Sequence, residues 1–214
     1  MTKIFVNYGD PSALAPSPWN NVTTPGTGLK IPNLLDENSN GTGKGLNITV
    51  PFSGILDNGV PGTQPDNYPE EVTRYPFWTS GNARISFTGF QPFQSIILVA
   101  WAQRTGSNRT YWYSINGILD GSNEPIPSVD SDGYLFAEGG DVQFHNGSFS
   151  FPWSPRYLKV NADSAGEILL RVIRQNPESA AGYLNSTILI YDDFDPSRRI
   201  RRYPLKQIVK NIVK

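Results

Sequence analysis

A chain of 214 residues without a cysteine excludes disulfides, thiolate zinc sites and a cysteine nucleophile together, and a single histidine excludes metal sites built on several imidazoles. Twenty glycines, 18 prolines and 12% aromatic residues point to many turns and few helices, as in a sandwich or barrel, and the length suits one all-β domain whose core needs no staple. The net charge of −1 hides a split: residues 196–214 carry seven basic side chains and no acidic one, which leaves eleven basic against nineteen acidic, or −8, in residues 1–195.

Met1-Thr2-Lys3 runs straight into Ile4-Phe5-Val6, without the apolar core and small-residue cleavage site of a signal peptide. With Met1 as the native start, the expectation is a protein made in a cytoplasm and not exported by that route. The five N-x-S/T sequons, at Asn21, Asn47, Asn108, Asn146 and Asn185, then read as turn sequences and not as glycosylation sites.

Ile4 to Asn7 reads as a short strand ended by Gly9-Asp10-Pro11. From there to about Lys44 the chain reads mostly as loop, packed by Trp19 and the set Leu29, Ile31, Leu34 and Leu35. Gly45 to Phe52 alternates as a strand, Asp57 to Tyr68 is again loop, and Glu70 to Trp78 holds a helical turn ended by Pro76. Arg84 to Phe90 sets Ile85 and Phe87 against polar neighbours, the pattern of a half-buried strand.

Ile96 to Trp101 is a continuous apolar run, rich in β-branched residues and far shorter than the ~18 residues of a membrane span. Turn chemistry at Gly106-Ser107-Asn108 separates it from Arg109–Ile115, which stops at Asn116-Gly117. The two runs are expected to pair as a hairpin at the centre of an antiparallel sheet. Ile118 to Ser131 is Pro- and Asp-rich connection, and Gly133 to Phe151 gives short aromatic pieces. Arg156–Val160, Glu167–Arg174 and Ser186–Tyr191 read as the last strands. The expected fold is an all-β, antiparallel two-sheet β-sandwich over residues 1–195, followed by a short basic arm at 196–214.

Several stretches carry a resemblance. IFVNYG, PSPWNN, NLLDENSNGTG and LNITV at the start, ARISFTGF and NRTYWYSING in the middle, and YLKVNADSAGEILLRVIR with GYLNSTILIY at the end together resemble a galactose-binding-like jelly-roll module of bacterial surface and phage proteins. The likeness covers roughly residues 4 to 191 and leaves the basic arm without a counterpart. It implies a non-catalytic module that binds glycans or other partners, with no defined set of site residues.

The chemistry-bearing residues are few. His145 would have to serve any Ser-His-Asp arrangement, yet it sits in DVQFHNGSF among turn residues, with no nucleophile elbow in the chain. The pairs Asp130/Asp132 and Glu138/Asp141 and the set Asp192/Asp193/Asp195 offer carboxylates for glycoside hydrolysis, although each lies where a carboxylate ordinarily caps a turn. Asp36, Asn38 and Asn40 open like a calcium loop, but Asn47 stands where the closing bidentate Glu belongs. That leaves either a looser structural calcium site or an Asx-turn. Trp153, between Pro152 and Pro155, is the leading platform for a sugar ring, followed by Trp112 and Trp78, and His145 is a further candidate for ligand binding; Trp101 reads as core.

In PLKQIVKNIVK, Leu205, Ile208, Val209, Ile212 and Val213 fall on one helical stripe that begins after Pro204. Eleven residues are marginal as a free helix, so the stripe needs a surface, with Arg198, Arg199, Arg201 and Arg202 beside it. The −8 body opposes nucleic acid and membrane as that surface, which leaves the sandwich itself, a second copy or another protein. The expectation is a non-enzymatic structural protein of a phage virion, in the head decoration, collar, fibre or tail. It is attached through this arm to other virion proteins or to copies of itself, with a host-surface glycan as a further partner. The alternative is a bacterial extracellular carbohydrate-binding module.

Overall fold

The computed structural model describes residues 1–57, 68–102, 109–115, 135–136, 141–146, 156–174 and 181–193. Its strands are β1 (Thr2–Tyr8), β2 (Asn20–Val22), β3 (Lys30–Ile31), β4 (Gly45–Val50), β5 (Gly54–Ile55), β6 (Phe77–Thr79), β7 (Asn82–Thr88), β8 (Ser95–Trp101), β9 (Arg109–Ile115), β10 (Leu135–Phe136), β11 (Asp141–Asn146), β12 (Arg156–Asn161), β13 (Ile168–Arg174), β14 (Gly182–Leu184) and β15 (Ser186–Tyr191). One five-residue helix, α1 (Glu70–Arg74), precedes β6.

The strands form the two sheets of a jelly-roll-type β-sandwich. The first sheet has the order β10-β12-β8-β15-β1-β2, the second the order β11-β9-β13-β7-β4-β3, and β14-β6-β5 make a small third sheet. Pairing is antiparallel apart from β1 with β2 and β10 with β12.

Alternation decides what faces the core. Ile4, Val6 and Tyr8 of β1, Ile96, Leu98 and Ala100 of β8, and Leu189 and Tyr191 of β15 pack against Leu46 and Ile48 of β4, Ala83, Ile85 and Phe87 of β7, and Ile168, Leu170 and Val172 of β13. Each large apolar side chain removed from water in this way contributes about 1.5–3 kcal/mol.

The expected hairpin of Ile96–Trp101 with Arg109–Ile115 does not form. β8 lies between β12 and β15 in the first sheet, and β9 between β11 and β13 in the second. The reason is facial. β8 and β15 are apolar on both sides, and their outward residues Ile97, Val99, Ile188 and Ile190 make a second buried cluster. In β9, polar Thr110 and Ser114 alternate with Tyr111, Tyr113 and Ile115, which suits a sheet with one face outside the core.

The segment expected as loop up to Lys44 contains β2 and β3, each too short to show a period. Within its packing set Leu34 is fully buried, whereas Leu35 is 38% exposed. The helical turn before Pro76 is α1. Asn185 is fully buried and donates from Nδ2 to the carbonyls of Val72 and Thr73, at 3.1 Å each, docking α1 on the sandwich.

Candidate binding faces of the sandwich

Register places several chemistry-bearing residues on the outer side of the second sheet. Since Leu170 and Val172 face the core, Arg171 and Ile173 stand at outward positions. Register pairs Arg171 with Ser114 and Ile173 with Trp112 on β9, and pairs Ser114, Trp112 and Thr110 in turn with Asp141, Gln143 and His145 on β11. On the other flank Arg171 is opposite Arg84, and Leu169 is opposite Ser86. The face therefore presents two long rows. One runs Asp141, Ser114, Arg171, Arg84, and the next runs Gln143, Trp112, Ile173, Asn82.

Two of the residues singled out in the sequence, Trp112 and His145, thus share one surface. Arg84, Arg171 and Gln143 escaped notice. The available signal was the polar half of the alternation in RISFTGF and EILLRVIR, whose apolar half marked the core. Ser86 Oγ donates to Glu167 Oε2 at 3.1 Å, which occupies that carboxylate at the border of the face.

Trp78 lies elsewhere. It pairs with Gly54 and Tyr183 in the third sheet, half-buried against the core. Its indole Nε1 lies 3.0 Å from where a Cβ on Gly54 would be, so the ring rests on a glycine that no larger residue replaces without a shift. Trp153 lies outside the described residues, as does the arm with Arg198, Arg199, Arg201, Arg202, Leu205, Ile208, Val209 and Ile212.

The outer side of the first sheet carries an aromatic chain. Phe5, Trp19, Tyr68 and Trp101 follow one another with centroid separations of 5.3, 5.4 and 5.7 Å. Trp101 is buried, as its apolar setting predicted. Asn7, Ser186 and Trp101 stand in one cross-strand row, and Asn7 Oδ1, Ser186 Oγ and Trp101 Nε1 are buried without a hydrogen-bond partner. A row of this kind takes ordered water or ligand hydroxyls.

The acidic loops are occupied by their own turns. Asp36 Oδ1 accepts the backbone N–H groups of Asn38 at 2.9 Å and Asn40 at 2.8 Å, and the bond from Asn40 leads in holding this carboxyl below its usual pKa. Glu37 Oε2 accepts the Lys3 N–H at 2.6 Å. Asp36, Asn38 and Asn40 therefore form an Asx-turn closed through their own backbone. Among the described residues no three His, Asp or Glu side chains converge as metal ligands would. Asp192 lies 3.3 Å from the Met1 amino group, and Asp193 accepts from Thr2 Oγ1 at 2.8 Å. Asp130, Asp132, Glu138 and Asp195 lie outside the described residues.

No protein-family model matches the chain, and no curated protein does. Solved structures do. A chain of the crystal structure of the plant peptide RALF23 in complex with FER and LLG2 is 10% identical, with a TM-score of 0.45, over 89% of this chain and 40% of that one. The CBM35 of Cellvibrio japonicus Abf62 is 9% identical, with a TM-score of 0.33, over 64% of this chain and 87% of that one. A CBM35 from Paenibacillus barcinonensis is 17% identical, with a TM-score of 0.31, over 69% of this chain and 98% of that one. The chain thus spans less than half the length of the first of these chains. At such identities these likenesses concern the fold alone.

Proposed function

We propose that the protein is a non-catalytic glycan-binding module that lays a polysaccharide chain along the outer face of its second sheet. One observation carries this reading: register sets Trp112 and His145 beside Gln143, Arg171 and Arg84 on a single face. An indole offers a flat apolar surface to a pyranose ring, and amide, imidazole and guanidinium groups bond its hydroxyls. Affinity electrophoresis of the full chain through gels containing a panel of neutral and charged polysaccharides tests it. Loss of a stacking platform worth about 1–2 kcal/mol lowers affinity roughly tenfold, so Trp112→Ala should run unretarded where the parent chain is retarded. Retardation of neither protein by any polymer, or equal retardation of both, refutes the reading.

We further propose that the module belongs to a virion and is attached through residues 196–214 to other virion proteins or to copies of itself. What supports this is the sequence of that arm: seven basic residues, a helical apolar stripe, and an acidic body behind them. An extracellular carbohydrate-binding module is the alternative, and it keeps the same glycan face while needing no attachment arm.

A further inference from the structure

On the outer side of the first sheet, Asn7 stands opposite Ser186 and Ser186 opposite Trp101, so the three share one cross-strand row. They are 1%, 0% and 3% exposed. Among the described residues Asn7 Oδ1, Ser186 Oγ and Trp101 Nε1 have no hydrogen-bond partner. Asn21 settles which end of the Asn7 amide is left over. Asn21 Oδ1 accepts the Ala15 N–H at 2.9 Å and its Nδ2 donates to the Ala15 carbonyl at 2.9 Å, so this amide has one orientation only. It meets Asn7 with its oxygen, and Asn7 donates to that oxygen from Nδ2 at 2.9 Å. The unserved atom of Asn7 is therefore an acceptor. Buried polar groups are nearly always bonded, and three orphans in adjoining positions of one sheet would cost the folded state their desolvation.

We infer that this row is a binding site for neutral hydroxyl groups, those of ordered water or of a sugar. The indole N–H of Trp101 only donates, Asn7 Oδ1 only accepts, and the Ser186 hydroxyl between them does either. A carboxylate or phosphate serves the indole and leaves Asn7 unserved, and an ammonium does the reverse. A hydroxyl donates and accepts from a single oxygen, which suits a row only two strand spacings long, about 10 Å. Aromatic rings wall the row at both ends. Tyr68 packs edge-on against Trp101 at 5.7 Å and against Trp19 at 5.4 Å, and the Trp19 carbonyl accepts from Asn21 Nδ2 at 3.4 Å. Trp19 and Tyr68 are half-buried, so this wall reaches the surface. Flat apolar rings beside atoms that seek hydroxyls form the setting in which a sugar is held. Water makes the same bonds in less space, about three to a buried molecule. The row belongs to the first sheet, so it stands or falls apart from the glycan face proposed on the second.

Two measurements on the full chain test the site. The first is the urea midpoint of Ser186→Ala, whose sign separates the alternatives. Removing an orphaned oxygen relieves the fold and leaves the midpoint equal or higher, whereas removing one that binds a hydroxyl lowers it. The expected result is a lower midpoint. The second follows the Trp101 indole N–H by nuclear magnetic resonance in isotope-labelled protein, assigned through its covalent connectivity. A cross-peak from this proton to a long-lived water, unchanged on adding methyl glucoside, methyl galactoside or methyl mannoside, identifies water as the occupant. A shift of the proton with one of these glycosides identifies a sugar hydroxyl, and Ser186→Ala should then weaken that glycoside roughly three- to tenfold, the worth of one neutral hydrogen bond. A midpoint that stays or rises in Ser186→Ala, or an indole N–H that meets neither water nor glycoside, overturns the site and leaves the glycan face on the second sheet untouched.

Discussion

Replacing Asn185 by Ala tests how the small helix is tied to the sandwich. The last carbonyls of a helix have no partner of their own, and α1 is only five residues long. Asn185 Nδ2 serves the carbonyls of Val72 and Thr73 from a fully buried position, with both of those residues buried as well. Alanine leaves two buried acceptors without this donor, and each such loss costs about 1–3 kcal/mol. The expected destabilisation is therefore about 2–6 kcal/mol, which lowers the melting temperature of a chain of this size by on the order of 10 °C. Urea unfolding followed by far-UV circular dichroism measures the loss, and an unchanged dependence on denaturant shows that the folded state still closes to the same extent. Near-UV dichroism adds a local reading, because Tyr68, two residues before α1, packs edge-on against Trp19 and Trp101. Asn185→Asp should cost more than alanine, since it sets a carboxylate against two carbonyl oxygens. A loss below about 1 kcal/mol for the alanine variant means that water or backbone motion satisfies the helix end, and the docking argument fails.

Four further outcomes are expected. Gly166 sits at φ 75°, and a Cβ there would run into the Phe90 carbonyl, so Gly166→Ala should lower the urea midpoint sharply, whereas Gly81→Ala, in open space, should not. Burial pushes the Tyr8 phenol well above its ordinary pKa, against the opposing effect of its 3.0 Å bond with Thr187. The unfolded state then loses this proton first, so stability is full below about pH 10 and falls as the pH rises further. Tyr8→Phe should flatten that alkaline decline in part, since burial raises Tyr191 too, and an unchanged slope tells against the assignment. Deleting residues 196–214 should leave a folded sandwich that no longer enters its particle or oligomer, and normal assembly of the truncated chain removes the attachment role. The purified protein should turn over no substrate on a broad glycoside and ester panel, and activity that vanishes with one carboxylate would overturn the non-catalytic reading.

Much of the fold was legible because alternation is a local signal. The pattern of Ile85 and Phe87, of Leu170 and Val172, and of Leu46 and Ile48 marked three core-facing strands before any pairing was known. Composition alone predicted an all-β domain without staples, and Asp36 was readable as a turn residue because an Asx-turn closes within four residues. Strands of two or three residues, such as β2 and β3, have no period to display.

The partner of each strand could not be read in the same way. Sequence adjacency and a turn signal suggested that Ile96–Trp101 would pair with Arg109–Ile115, yet each pairs with strands far away in the chain. Burial decided between these arrangements: β8 is apolar on both sides, and its outward Ile97 and Val99 are covered together with Ile188 and Ile190 of β15. The candidate glycan face has the same origin. Nothing in the chain near Arg84 points to Arg171, or near Trp112 to Gln143. By itself the sequence determined which side of each longer alternating strand is dry. Only the tertiary structure, through cross-strand register over long stretches of chain, decided which polar residues meet on the wet side.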